Sequence, residues 1–406
     1  NTGSDTSTKN PLSHFTEVIV SLIELVALKR PLLYLGLPGI IFLIIGSIFF
    51  LESQKVSPMG DVGDSDVAAH IPTEGESRAR IEKKAEQFER VKEISTPDGF
   101  INVDDINVGD LIGEKIILVD FWTYSCINCQ RTLPFLNSWH EKYGDSGLVI
   151  LGLHTPEFEF EKEFENVKRA VEKFEIQYPV VLDNDYSTWR SYQNRYWPRK
   201  YLIDIDGFIV YDHIGEGAYD ETEAKIVELL NERSTVLGDE EVVMDKTIPE
   251  GIDDVDFRRV RTPETYLGSS RIEYIANLPG VECFGTSCSY TVGSDVVLNT
   301  YQLDGEWTIG TEESTLNSET GSIFIGFSAS KVNLVAGSEK GVSAEIYLDG
   351  ELVQNGQGGS EVVDGRVLFK AHDLYNLIDL EGEYGDHLLE IRFLEPGASA
   401  FAFTFG

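Results

Sequence analysis

The chain has 406 residues, 42% of them hydrophobic, and carries 69 acidic against 33 basic side chains for a net charge of -36. That length exceeds one ordinary domain and suits two with a further segment appended. A surface so acidic repels phosphate backbones and anionic lipid, which excludes nucleic acid as a partner. It fits the solvated surface of a salt-adapted protein better than a dedicated basic partner.

Residues 1–30 read as a cytoplasmic or interfacial segment. Phe15 to Leu28 is apolar apart from Thr16, Glu17, Ser21 and Glu24, the pattern of an amphipathic helix lying in a membrane interface. Pro31 to Leu51 then runs for 21 residues without a charge. As a helix it spans roughly 31 Å, the thickness of a bilayer core, and predicts one transmembrane helix. Lys29 and Arg30 precede this run, and Glu52, Asp61, Asp64 and Asp66 follow it. By the positive-inside rule the N-terminus is cytoplasmic and everything after Leu51 is extracytoplasmic. A cleaved signal peptide is the other reading, but no small-residue cleavage pattern follows the run. Residues 52–94 are a linker and a charged stalk helix, the latter placed over Glu76 to Glu93 by Ile81, Ala85, Phe88 and Val91 at helical spacing.

Over residues 95–233 apolar strand patterns (116–122, 148–154, 178–183, 201–205, 208–214) alternate with helical ones (126–143, 161–174, 186–193, 220–231), which predicts an α/β layered domain. Residues 234–260 form an acidic connector. Residues 261–406 hold short alternating runs, among them 322–327, 342–348, 366–369, 387–393 and 400–405, between Gly, Asn and Asp turns. This predicts an antiparallel all-β sandwich.

The four cysteines fall as two close pairs, Cys126 with Cys129 and Cys283 with Cys288. In a chain with a membrane segment, such pairing favours an oxidising or redox-active compartment outside the cytoplasm. The first pair lies in VDFWTYSCINC (Val119 to Cys129), where a strand pattern gives way to a helical one. Two thiols at that spacing can trade places with a disulfide, the first attacking as thiolate and the second resolving the mixed disulfide. A helix start stabilises the thiolate of Cys126 through its unpaired N–H groups and partial positive charge. Cys129, one turn further in, is shielded and needs a base.

The run VDFWTYSCINCQRTLP resembles the thioredoxin superfamily, with Asp120 six residues before the first cysteine and Pro134 five after the second. The resemblance makes Asp120 the proton relay for Cys129. RYWPRKYLIDIDG (Arg195 to Gly207) resembles the segment that carries the family's cis-proline. This implies that Pro198 shapes the substrate groove and that the backbone of Trp197 pairs with the substrate strand. The whole of residues 96–406 is most similar to the DipZ-like, TlpA-related group of extracytoplasmic thioredoxins, through FWTYSCINCQRTLP, GLHTPEFEFEKEFENVKRAV, LDNDYSTWRSYQNRYWP and HIGEGAYDETE. TPETYLG, LDGEWTIG and FAFTFG resemble the carbohydrate-binding-module-like (jelly-roll) sandwich that follows the thioredoxin domain in that group. The resemblance departs at the N-terminus, where one anchor helix stands in place of the multi-helix membrane domain of many relatives. It therefore implies a separate membrane electron donor of the CcdA type.

Other readings of the same residues are weaker. Four cysteines are enough for zinc on paper, but the two pairs fall in different domains. A c-type haem needs His where Gln130 stands. A peroxiredoxin-like peroxidase gains from Thr123, three before Cys126, and loses from Val119 at that family's proline position. Cys283 and Cys288 read as a structural disulfide. Trp122 and Trp197 are candidates for an apolar substrate groove, Trp307 for the sandwich core, and His154 and His213 for hydrogen-bonded strand ends. The resulting expectation is a membrane-anchored thiol-disulfide oxidoreductase acting on protein disulfides, needing no metal or organic cofactor. Its spacer, Ile127-Asn128, leans to reductase over oxidase. The competing reading is a surface protein whose sandwich binds glycan or protein, with the dithiol secondary.

Overall fold

The computed structural model describes residues 72–406 except Asp254, Ser294 and Asn355. The amphipathic segment 15–28 and the apolar run 31–51 lie outside the described residues. Among the described residues no helix is long and apolar enough to cross a membrane.

The α/β part is built on six strands: β1 (Gly99–Ile101), β2 (Ile116–Trp122), β3 (Leu148–His154), β4 (Val180–Leu182), β5 (Arg199–Ile203) and β6 (Ile209–Ile214). They form one sheet in the order β1-β4-β3-β2-β5-β6. β2, β3 and β4 run parallel, while β1, β5 and β6 run antiparallel to their neighbours. All seven residues of β2 are buried, as expected of a central strand covered by helices on both faces. Side chains alternate across a strand. Ile116, Leu118 and Trp122 therefore enter one core with Leu133 and Leu136 of the helix Ile127–Tyr143. Ile117, Val119 and Phe121 enter the opposite core with Trp189 and Tyr192. Asp120 shares the parity of Leu118 and Trp122, so it lies on the helix side.

The stalk helix runs from Glu74 to Ala85, opened by a capping box in which Thr73 and Glu76 satisfy each other's backbone N–H groups. None of its residues is buried. It docks by charge: Arg80 makes two bonds to Asp206 (2.7 and 2.8 Å), and Lys84 reaches Asp204 (2.6 Å), Asp206 (3.0 Å) and Glu232. The helix ends earlier than its apolar spacing predicts, because Val91 N–H bonds Gly207 O and Arg90 bridges Phe208, an extended pairing that outweighs helix propensity.

The C-terminal part is all β: β7 (Thr265–Tyr266), β8 (Ser287–Tyr290), β9 (Tyr301–Ile309), β10 (Ser314–Leu316), β11 (Gly321–Ala329), β12 (Lys331–Gly337), β13 (Val342–Leu348), β14 (Glu351–Leu352), β15 (Arg366–Phe369), β16 (Asp373–Asp379), β17 (Gly385–Phe393) and β18 (Ser399–Phe405). The main path is β14-β13-β17-β11-β9-β10-β18-β12-β16. β9 joins its two halves, pairing with β11 through Tyr301–Asp304 and with β10 through Trp307–Ile309. Residues from both halves, including Trp307, Ile323, Leu334 and Phe403, share one core. Trp307 is fully buried, with its indole N–H on Asp304 O (2.8 Å) and its ring edge-on to Phe393. Trp307→Ala should cost about 3–5 kcal/mol, read as a lower urea midpoint at unchanged m-value; a loss below about 1 kcal/mol would mean that the site collapses around the cavity.

The two parts share a small core of their own. Phe158, Phe160 and Ile127 pack with Val335, Leu374, Phe401 and Ala402. Around it Arg271 and Tyr266 both donate to Glu157 (2.6 and 2.9 Å), Lys173 pairs with Asp373 (2.8 Å), and Tyr124 Oη donates to His372 O (3.2 Å).

Candidate active site

Cys126 is the residue on which the helix Ile127–Tyr143 starts, and its Sγ accepts the N–H of Cys129 at 3.3 Å. The sulfur therefore sits among the first free N–H groups of a 17-residue helix, where negative charge is favoured. Both thiols are free; Cys126 is half-buried and Cys129 is 1% exposed. Burial pushes the Cys129 thiol well up, and the adjacent Cys126 sulfur pushes it further.

Asp120 is fully buried on the same side of the sheet. Burial outweighs the pull of the Lys200 ammonium and pushes its carboxyl up to about 7. A carboxyl poised there exchanges protons at neutral pH, which suits a base acting on a shielded thiol. The Trp197–Pro198 peptide bond is cis. Trp197 is half-buried; its indole donates to Thr155 O (3.0 Å) and its ring lies 4.3 Å from that of Trp189.

Trp122 does not belong to a groove. It is fully buried, packed edge-on to His154 and so close to β3 that a methyl group at Gly152 would come within 3.0 Å of its indole nitrogen. Strand parity aims it into the core beneath the helix, out of reach of a client. His154 lies 3.3 Å from Thr123 Oγ1, with burial driving its imidazole down to about 3. His213 lies 3.2 Å from Glu216 O. Cys283 and Cys288 form a disulfide that ties the turn Val281–Cys283 to β8.

Several groups escape a reading of the sequence. Lys200, fully buried, stands opposite Asp120 in the β2–β5 register. Arg131, 5% exposed, forks onto Glu216 (2.9 and 2.8 Å) and also donates to Asn128 of the spacer (2.9 Å). Glu161, fully buried, accepts from Ser125 Oγ (2.6 Å) and from the N–H groups of Glu157 (2.5 Å) and Phe158 (3.0 Å), and burial pushes its carboxyl up to about 7. A charged residue at a core-facing position of an apolar strand is the one signal that marks Lys200 beforehand. The carboxylates of Asp204, Asp206 and Glu232 lie close enough to share a metal ion, but Arg80 and Lys84 already stand among them.

A model of the AhpC/TSA family matches residues 81–212, across the cysteine pair and the cis-proline. Residues 81–212 are therefore a thioredoxin-like domain of AhpC/TSA type. Beyond it, the model described as thioredoxin like C-terminal domain matches residues 262–406. Protein DipZ of Mycobacterium bovis is 36% identical over 224 residues, covering 55% of this chain and 31% of that protein. The thiol-disulfide oxidoreductase YkuV of Bacillus subtilis is 29% identical over 122 residues, 30% of this chain and 82% of that one. A solution structure of a thioredoxin-like protein in the oxidized form is 26% identical, with a TM-score of 0.34, covering 36% of this chain and 97% of that chain. The chain thus spans about a third of the length of the DipZ relative.

Proposed function

We propose that this protein is a thiol-disulfide oxidoreductase that reduces protein disulfides at the outer face of a membrane. The observation that carries the reading is the thiol of Cys126 at a helix start, bonded to the N–H of Cys129, with Asp120 buried beside the second thiol. Cys126 thiolate attacks a client disulfide, forming one S–S bond to the client and releasing the client's other sulfur as thiolate. Cys129 then gives its proton to Asp120 and attacks Cys126 Sγ. The mixed disulfide breaks, the client leaves with both sulfurs reduced, and the protein retains a Cys126–Cys129 disulfide. Trp197 and the cis-proline edge form the client groove. The run 31–51 serves as anchor, residues 95–233 as the redox domain, 234–260 as connector and 261–406 as a carbohydrate-binding-module-like sandwich. A separate membrane dithiol donor of the CcdA type restores the thiols, and glycan binding by the sandwich is secondary.

Redox titration of the full chain in detergent against glutathione tests this. We expect a potential near that of thioredoxin, about -270 mV; a value near -120 mV would make the protein an oxidant, and no titration would remove the redox reading altogether. The AhpC/TSA match makes a peroxide the alternative electrophile. Against it, the Thr123 hydroxyl that such a site would use lies against His154 Nε2.

A further inference from the structure

The face that β12, β16 and β18 turn toward the redox domain changes character along its length. Val335, Leu374 and Ala402 stand in register across the three strands and pack with Ile127, Phe158 and Phe160. Two residues along, the row is Asn333, Asn376 and Thr404, and it is polar. Over Asn333 and Asn376 the domains do not close: a cavity of about 590 Å³ opens there, bounded by Ile127 and Gln130 of the dithiol helix, by Ser360 and Glu361 of a β-domain loop, and by residues 251–253 of the connector. It borders the spacer between the two thiols.

Three polar atoms around this cavity have no partner among the described residues. Asn333 is only 3% exposed, yet the one atom engaged is its Oδ1, which accepts from Asn376 Nδ2 at 2.8 Å; its own Nδ2 is left to donate. Gln130 donates through Nε2 to Tyr124 O (2.7 Å), which leaves its Oε1 to accept. Glu361 spends Oε2 on Ser360 Oγ (2.6 Å) and on the N–H of Asn376 (2.9 Å), and Oε1 is unused. Charge is uneven as well. Lys331 lies between Asp253 (2.6 Å) and Asp379 (3.1 Å), and Lys173 is taken by Asp373, so both lysines at the cavity are matched while Glu361 faces no cation. No aromatic ring lines the cavity, so it offers a sugar no face to stack on.

The geometry points to a second client subsite: this cavity receives the polypeptide segment flanking the client's reactive cysteine, with a peptide carbonyl on Asn333, a peptide N–H on Gln130 and a lysine or arginine on Glu361. The inference rests on the oxidoreductase reading above and adds a sequence preference to it. A free donor and a free acceptor in one cavity match the single C=O and single N–H that a peptide unit presents. A nearly buried amide with an idle donor is costly until something accepts from it. Cys126 directly precedes Ile127 at the cavity edge, so a client sulfur bonded to Cys126 brings its neighbouring residues to the opening. There the carboxylate of Glu361 attracts a basic side chain and repels an acidic one, which selects among clients by both signs of the interaction.

The test follows thiol release by the reduced full chain from two peptides, each closed by one disulfide and differing only in lysines or glutamates beside the cysteines. Each rate is divided by that peptide's rate with dithiothreitol, which removes the peptides' own difference in reactivity. The corrected kcat/KM should favour the lysine peptide about tenfold, and Glu361→Gln should bring that ratio to about one. Asn333→Leu should raise KM about fivefold for both peptides and keep the preference. A corrected ratio near one in the wild-type chain, a preference that survives Glu361→Gln, or an unmoved KM in Asn333→Leu overturns the subsite. If Asn333→Leu does not fold, Glu361→Gln, placed on a loop, decides alone. A soluble glucose hexasaccharide that competes with the lysine peptide would give the cavity to glycan and overturn the peptide assignment. Wild-type chain that reduces neither peptide would overturn the oxidoreductase reading instead.

Discussion

Replacing Cys126 with serine should lower the rate of protein-disulfide reduction by at least about a thousandfold, since no other described thiol stands at a helix start. Cys129→Ser should behave differently. Its Cys126 still attacks, but without the buried partner the reaction stops after one turnover at a mixed disulfide. Dithiothreitol-driven reduction of insulin gives the rates, and intact-mass spectrometry gives the adduct. Full rate in Cys126→Ser, or an adduct carried on Cys129 in the wild-type chain, would reverse the assigned roles. Both variants keep the folded core: Cys126 packs only partly against it, and serine differs from Cys129 by one buried sulfur.

Asp120→Asn should make the protein more stable at pH 8 and leave it unchanged near pH 4. The folded carboxyl titrates at about 7 against 3.8 for a free one, so between those values the folded chain keeps a proton that the unfolded chain has lost. Stability therefore falls as pH rises through that window, and above it the full cost of a buried carboxylate is present. At about 1.4 kcal/mol per pH unit the cost is on the order of 4 kcal/mol. Lys200 loses its partner in the variant and offsets part of the gain, leaving a few kcal/mol. Urea unfolding at pH 4 and pH 8 measures the difference; equal stability of variant and wild type at both values would show that Asp120 is not held in that state.

The strands and the dithiol are legible wherever one signal decides. β2, β3 and β13 fall at 116–122, 148–154 and 342–348, the bounds that their apolar patterns indicate. β12 gives no such pattern, because six of its seven residues are buried and alternation is lost when both faces are covered. The helix Tyr219–Leu237 runs on into the acidic connector until Gly238, at φ +76°, ends it. Asp120 is picked out by the family resemblance of the motif around Cys126, which lies within one strand and turn. Lys200 and Glu216 are not, because their place depends on an antiparallel register and a loop that meet only after folding. Trp122 is misplaced by spacing alone: a bulky aromatic next to a cysteine motif looks like a groove, and only strand parity sends it inward.

The apolar contact of Ile127, Phe158 and Phe160 with the β domain has a bearing on how such a protein changes over generations. Ile127 is part of the spacer between the two thiols, so one side chain serves both the redox motif and the seam between domains. A substitution there that tuned the thiols would also loosen the seam, and exchange of the β domain for another would leave Phe158 and Phe160 without their cover. In this chain the spacer sequence is therefore constrained by a neighbour that takes no part in the chemistry.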